Sequence, residues 1–261
     1  MTTNRDLVEW FERHYPRAIA EDWDSVGVIS GDWSHGVETV LLTVDITHEV
    51  LDEAIAVGAT FVAAHHPLVL PRHSIVTEPY KFQLMSRASN AGVMLFNAHT
   101  NADNARPGVA DALAARIGVF DTDALVPTSL DAVTGTGRIG DLQSPMTAGE
   151  LTAHINAVMP RSRAKLNGNA AQQVQRVALC PGSGDSLLHV VASTDADIYI
   201  TSDLRHHPVL EHSQAGGCPV IDINHVAAEE QWLPLLADEM SRELGLTVLL
   251  STVDTRAWLN H

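Results

Sequence analysis

Apolar and polar residues change their period repeatedly along this chain, and each change predicts a new element. The N-terminal stretch MTTNRDLVEWFERHYPRA spaces its apolar residues as a short amphipathic helix, with charges throughout. VETVLLTVDIT (37–47) is a β-branched run that predicts a strand, and HEVLDEAIAVG (48–58) returns to helical spacing and stops at Gly58. ATFVAAHHPLVL (59–70) reads as strand, KFQLMSRASNAG (81–92) as helix, VMLFNAH (93–99) as strand and GVADALAARIG (108–118) as helix. From Phe120 to Gly149 the chain is richer in Thr, Asp and Gly. GTGRIGDL within it predicts an exposed edge strand, and TAGELTAHINAVM a helix capped by Thr147. A second series follows: strand and glycine turn (VQRVALCPGSG), helix (DSLLHVVAST), strand (ADIYITSDL), helix (PVLEHSQAG) and strand (CPVIDINH). A long helix, VAAEEQWLPLLADEMSREL, and a last strand, LTVLLS, complete it.

Alternating strands and helices predict an α/β fold. The two halves also echo each other. HHPLVL (65–70) and HHPVL (206–210) each follow an apolar strand. Later in each half a strand delivers a histidine with an acid four residues on: His99 with Asp103, and His225 with Glu229. This is the trace a duplicated α/β unit leaves, with equivalent strand ends converging on one cleft. We therefore expect two similar α/β lobes, 1–125 and 126–261, around a shared metal-binding cleft and forming one unit. No disordered linker separates them.

Composition narrows the function. Lys plus Arg total 16 against 32 Asp plus Glu, a net charge of −16, which repels nucleic-acid phosphates over most of the surface. No apolar run is long enough for a membrane span, and the N-terminus does not read as a signal peptide. The two cysteines, Cys180 and Cys218, cannot build a disulfide framework and read as buried thiols, so a cytoplasmic, reducing setting is expected. Fourteen histidines are the unusual number, and their positions carry the chemistry.

His65 and His66 stand where a strand must end. Neighbouring strand side chains point to opposite faces, so the pair converges only if the backbone turns, as Pro67 allows. Otherwise each histidine could serve a different ion, or one could be a core residue and the other exposed. In NAHTNADN an apolar strand runs into Asp103, at the kind of strand exit where open α/β sheets bind ligands. Asp103 could instead cap the helix that follows. His225 and Glu229 project from one helical face, while Glu230 turns away by about 100°. Three imidazoles and two carboxylates suit zinc, iron, manganese or nickel, without selecting among them. Five ligands exceed one tetrahedral zinc and suit two ions sharing a carboxylate. His99, Asp203 and His207 are candidates to orient ligands or move protons, and Asp24 and Asp45 could do likewise. PGSGDS resembles a phosphate-binding turn but lacks the P-loop GK[ST], and no G-x-S-x-G elbow is present.

In order and spacing, EDWDSVGVISGD, LLTVDIT, AAHHPLVL, NAHTNADN, GTGRIGDL, PGSGDS, TSDLRHH and DINHVAAE make the chain resemble the Nif-three-like proteins, NGG-interacting-factor relatives often called type 2 homologues of GTP cyclohydrolase I. The resemblance spans nearly the whole chain. It implies a two-metal site that falls here on His65, His66, Asp103, His225 and Glu229, and a ring-shaped homohexamer built as a trimer of dimers. The chain corresponds to the short form, without the domain that longer members insert between the halves. Alanine at position 102 replaces a larger aliphatic residue of the family pattern.

The leading functional expectation is a metal-dependent hydrolase acting on a small molecule, with a nucleotide-like ring or a phosphoester as substrate class. The alternative is a non-catalytic metal carrier, store or regulatory protein using the same ligands. A ring protein merely braced by metal is a third reading. No catalytic residue is singled out, and no organic cofactor is expected.

Overall fold

The computed structural model describes residues 1–70 and 79–258. The chain divides into two compact units, one of residues 1–105 and 233–255, the other of 106–232 and 256–258.

The first unit opens with helix α1 (Asn4–His14), capped by Thr3, whose hydroxyl and backbone N–H both meet the Asp6 carboxylate. Its apolar face buries Leu7, Trp10 and Phe11. Strands β1 (Gly27–Ser30) and β2 (Thr39–Thr43), helix α2 (His48–Ala56), strand β3 (Phe61–Ala64), helix α3 (Pro79–Asn90) and strand β4 (Met94–Asn97) follow. A short helix, α4 (Thr100–Asn104), ends this stretch. β2, β3 and β4 run parallel and are buried almost throughout, as strands covered on both faces must be. Leu41, Val62 and Leu95 of these strands pack with Val50 and Leu51 of α2 and Leu84 of α3.

The second unit contains helix α5 (Val109–Ile117), strands β5 (Val119–Pro127) and β6 (Gly135–Thr147), helix α6 (Ala148–Val158) and strands β7 (Lys165–Asn167) and β8 (Gln173–Ser183). Helix α7 (Leu188–Val191), strand β9 (Ile198–Ser202), helix α8 (His206–Gln214), strand β10 (Val220–Ile223) and helix α9 (His225–Glu229) complete it. Its sheet runs β5-β6-β8-β9-β10-β7, parallel only across β8, β9 and β10. Alternate residues serve two apolar clusters. Val177, Leu179, Ile198 and Ile200 join one, and Ala178, Cys180 and Tyr199 the other. As expected of structural thiols, Cys180 is buried in this core and Cys218 half-buried, where burial pushes its thiol up to about 11.

Helix α10 (Trp232–Leu244) and strand β11 (Thr247–Leu250) then return to the first unit, where β11 pairs parallel to β2 and completes the order β1-β4-β3-β2-β11. Glu53 of α2 holds the segment after β11 by accepting from the hydroxyls of Ser251 and Thr252. Among the described residues, no helix is long and apolar enough to cross a membrane.

Several expectations change. A boundary at residue 125 would fall inside β5, and the last helix and strand belong to the first unit, because β11 finds its partner in β2. GTGRIGDL is not an edge strand: β6 lies between β5 and β8. The long final helix is two helices. Pro234 lacks the N–H that would bond the Glu230 carbonyl, and its ring crowds that carbonyl, so the chain breaks at Glu230 and Gln231. ATFVAAHHPLVL is strand only from Phe61 to Ala64, so HHPLVL follows the strand, whereas the second His-His-Pro opens helix α8, and the two motifs are not structural equivalents. β8 continues through Pro181 and Gly182 to Ser183 instead of turning after Cys180. Thr147 does cap α6, in a reciprocal box with Glu150.

Candidate metal centre

In the first unit β3 ends at Ala64, and the two histidines leave the sheet together. Their backbone N–H groups still reach Thr43 and Val44 carbonyls, at 3.1 and 2.8 Å, which fixes where the turn begins. β4 ends one strand away, and His99 follows it. The three imidazoles gather, with ring centroids 5.1 Å apart for His65 and His66, 5.2 Å for His65 and His99, and 5.6 Å for His66 and His99. Each offers a ring nitrogen within 4.8 Å of the others.

Each ring is held at Nδ1. His65 meets the Ala98 carbonyl at 3.0 Å, His66 the Asp45 carboxylate at 2.7 Å and His99 both Asp24 oxygens at 3.0 Å. A carbonyl or an ionised carboxylate can only accept, so Nδ1 carries a proton in each ring, and the neutral form of the ring presents its lone pair at Nε2. Burial alone would raise the Asp24 pKa. Hydrogen bonds from His99 and from the Thr100 hydroxyl and backbone N–H outweigh it and hold the carboxyl far below the usual range.

Asp103 lies on α4 with one carboxylate oxygen 3.7 Å from His65 Nε2. It does not cap the next helix, because Asp111 accepts from the Gly108 N–H there. The other polar residues of NAHTNADN are structural. Asn101 and Asn104 donate to the Tyr15 and Ile19 carbonyls, and Asn97 to that of Ser25, tying α4 to the segment that carries Asp24.

The second unit repeats the arrangement after β10. Asn224 caps α9, and His225 and Glu229 project from one face with Nε2 and a carboxylate oxygen 2.9 Å apart. Glu230 turns away to Arg161. His225 Nδ1 donates to Asp203 at 2.7 Å, and Ser183 donates to the same oxygen at 2.8 Å. The His225 bond holds the Asp203 pKa down against its partial burial. Asp203 has a left-handed backbone (φ 55°), a conformation that costs a non-glycine residue roughly 1–2 kcal/mol. Orienting His225 is the return on that strain.

PGSGDS contributes here in a way its pattern did not predict. Gly182 has φ 75°, and a Cβ there would lie 2.7 Å from a Glu229 oxygen and 3.6 Å from His225 Nε2. The glycine is the floor under this pair, with its carbonyl held by the Thr201 hydroxyl. Its chemical signal was a glycine at a strand exit, without the lysine that a phosphate loop needs. His207 does not join the site: it is exposed at the start of α8, with its ring against His206.

Both clusters fit a divalent metal. Their donors are imidazole and carboxylate without thiolate, the histidine tautomers are set by carboxylates or a carbonyl behind them, and Gly182 leaves space that a side chain would fill.

Known proteins match this chain over nearly its whole length. A GTP cyclohydrolase 1 type 2 homolog of Streptomyces coelicolor is 36% identical over 266 residues, covering 98% of this chain and 93% of that protein. One from Nostoc sp. is 33% identical over 245 residues, covering 92% of each. The crystal structure of a Bacillus cereus protein related to NIF3 shares the fold with a TM-score of 0.89 at 21% identity, covering 100% of this chain and 99% of that one. The family model for Duf34/NIF3 (NGG1p interacting factor 3) matches residues 2–257, and the chain belongs to that family.

Proposed function

We propose that this protein holds a pair of divalent metal ions with His65, His66, Asp103, His225 and Glu229, and hydrolyses a nucleotide-like or phosphoester substrate. The observation that supports this reading best is the common support of the candidate imidazoles: His65, His66 and His225 each present Nε2 with Nδ1 tied to an acceptor. Divalent ions supply Lewis-acid polarisation of a substrate oxygen and make water more acidic. The chain's own part is to hold the donors rigid: Asp45 and Asp203 fix His66 and His225, and the Ala98 carbonyl fixes His65. The relatives' shared name favours a nucleotide ring among the substrate classes.

Protein purified without an affinity tag is expected to carry about two transition-metal equivalents per chain, lost in the His65→Ala/His225→Ala double variant. Wild-type protein that holds no metal and takes up none from added zinc, iron, manganese or nickel would sink the reading. Turnover of a nucleotide or phosphoester that vanishes in Glu229→Gln supports hydrolysis. Bound metal with no turnover over a broad panel turns the reading to a carrier or regulatory protein.

We further propose, on the family resemblance, that the chain assembles as a homohexamer, a trimer of dimers. Light scattering should then give six times the 28.1 kDa chain mass, and a monomeric mass at micromolar concentration would refute it.

A further inference from the structure

We infer that Trp23 is the surface on which the ring of the substrate stacks, and that the substrate is a purine nucleotide and not a simple phosphoester. This narrows the proposed function and rests on its placing of a substrate at the imidazoles of the first unit, but not on which residues bind metal.

Trp23 is 52% exposed, although burying an indole is among the larger gains open to a folding chain. Single exposed apolar side chains are ordinary, so exposure alone assigns nothing. The setting of this one does. The indole stands beside His99, with ring centroids 5.9 Å apart and planes at 77°. In a perpendicular pair at most one face of the indole meets the imidazole, which leaves the other face to a planar partner. His99 itself gathers with His65 and His66 beyond the ends of β3 and β4. A ring laid on the indole is thereby held at the edge of that cluster.

The indole is also positioned before any ligand arrives. Residues 21–24 form a turn, closed by the Asp24 N–H on the Glu21 carbonyl at 3.0 Å, and Trp23 is its third residue. Both ends of the turn are fastened to the start of α4. The Glu21 N–H donates to the Thr100 hydroxyl at 2.9 Å. The buried Asp24 carboxylate accepts from the Thr100 N–H, the Thr100 hydroxyl and His99. The bonds that aim His99 therefore also hold Trp23, and stacking on a pinned turn costs little ordering entropy.

The chemistry of the indole selects the ligand. A phosphate is recognised by cations and N–H groups and gains nothing from an aromatic face. A purine offers two fused rings that match the indole in size, and base–aromatic stacking tolerates either purine. Stacking tryptophans also serve single-stranded nucleic acids, but a net charge of −16 opposes a polyanion, so the occupant is a single nucleotide.

The test is a calorimetric titration of the full-length chain, as purified, with guanosine monophosphate, adenosine monophosphate and ribose phosphate. Trp23→Ala is expected to weaken both nucleotides by roughly 5- to 150-fold, the loss per stacked base when an aromatic platform is removed, and to leave ribose phosphate unchanged. Trp23→Phe keeps a ring face and should recover most of the affinity. Metal content and melting temperature should match the wild type in both variants. Equal losses for nucleotides and ribose phosphate, or no loss at all, overturn the inference. So does a Trp23→Ala protein that sheds metal, which makes the indole part of the frame around Asp24. A wild type that holds metal but binds neither nucleotide more tightly than ribose phosphate also overturns it, and leaves the metal pair standing. Trp23-dependent nucleotide binding by protein that holds no metal supports it and strikes the metal reading instead.

Discussion

Arg138→Ala is expected to cost about 3–5 kcal/mol of stability. Arg138 is fully buried on β6. Its Nε and one terminal nitrogen meet the two oxygens of Asp111 at 2.8 and 2.7 Å, and its other terminal nitrogen donates to the Gly135 and Gly137 carbonyls at 2.7 and 2.8 Å. Alanine would strand a carboxylate and two carbonyls in a space now filled by guanidinium, and an uncompensated buried charge is the expensive outcome. Asp111 also binds the Gly108 N–H at the start of α5, so the damage extends to that helix. Urea melts should show the loss, together with a fall in Tm of roughly 10 °C. Arg138→Met/Asp111→Asn, which removes both charges and keeps a group near Gly108, should recover most of it. A loss below about 1 kcal/mol for Arg138→Ala would mean the ion pair is incidental.

Gly182→Ala should weaken metal binding at His225 and Glu229 by about 10–100-fold without altering a ligand. Its Cβ would sit 2.7 Å from Glu229, and the carboxylate must move. Part of any effect is backbone strain, because φ is 75°, and Gly216 provides the control. Gly216 has φ 82°, and a Cβ there meets nothing within 4 Å, so Gly216→Ala carries comparable strain away from the site. Both variants should lose a similar increment of thermal stability, and only Gly182→Ala should release metal more readily in a competition titration with a chelator. Equal metal affinities in the two would remove Glu229 from the ligand set in the position seen here.

Much of the fold was legible because its signals are local. β2, β3 and β4 are short, largely apolar runs, α6 announces its start through Thr147 and Glu150, and His65 and His66 mark a strand end. The His225–Glu229 pair was readable because helical geometry alone fixes a four-residue spacing. What escaped depends on distant partners. GTGRIGDL looked exposed because arginine and glycine are poor predictors of burial, yet Arg138 is inside through Asp111, a residue of α5. Gly137 suits an interior strand for a reason no local pattern reveals: a Cβ there would lie 2.6 Å from the Leu179 carbonyl of the neighbouring strand. Gly182 and Asp203 support His225 across breaks in sequence of the same kind, and Asp24 reaches His99 from the loop before β1.

The return of the chain to its first unit has a consequence for biosynthesis. β2 receives β11 as its neighbour, with Thr39 opposite Thr247, so the ribosome must deliver the residues up to Leu250 before that sheet can close. Until then a nascent chain exposes one side of β2 as an unpaired edge, the kind of template on which other strands add. Residues 106–232 form a continuous stretch within the second unit and are complete earlier. Vectorial synthesis therefore favours the inserted unit as the first to consolidate, with the surrounding one assembled last by a contact of very long sequence separation.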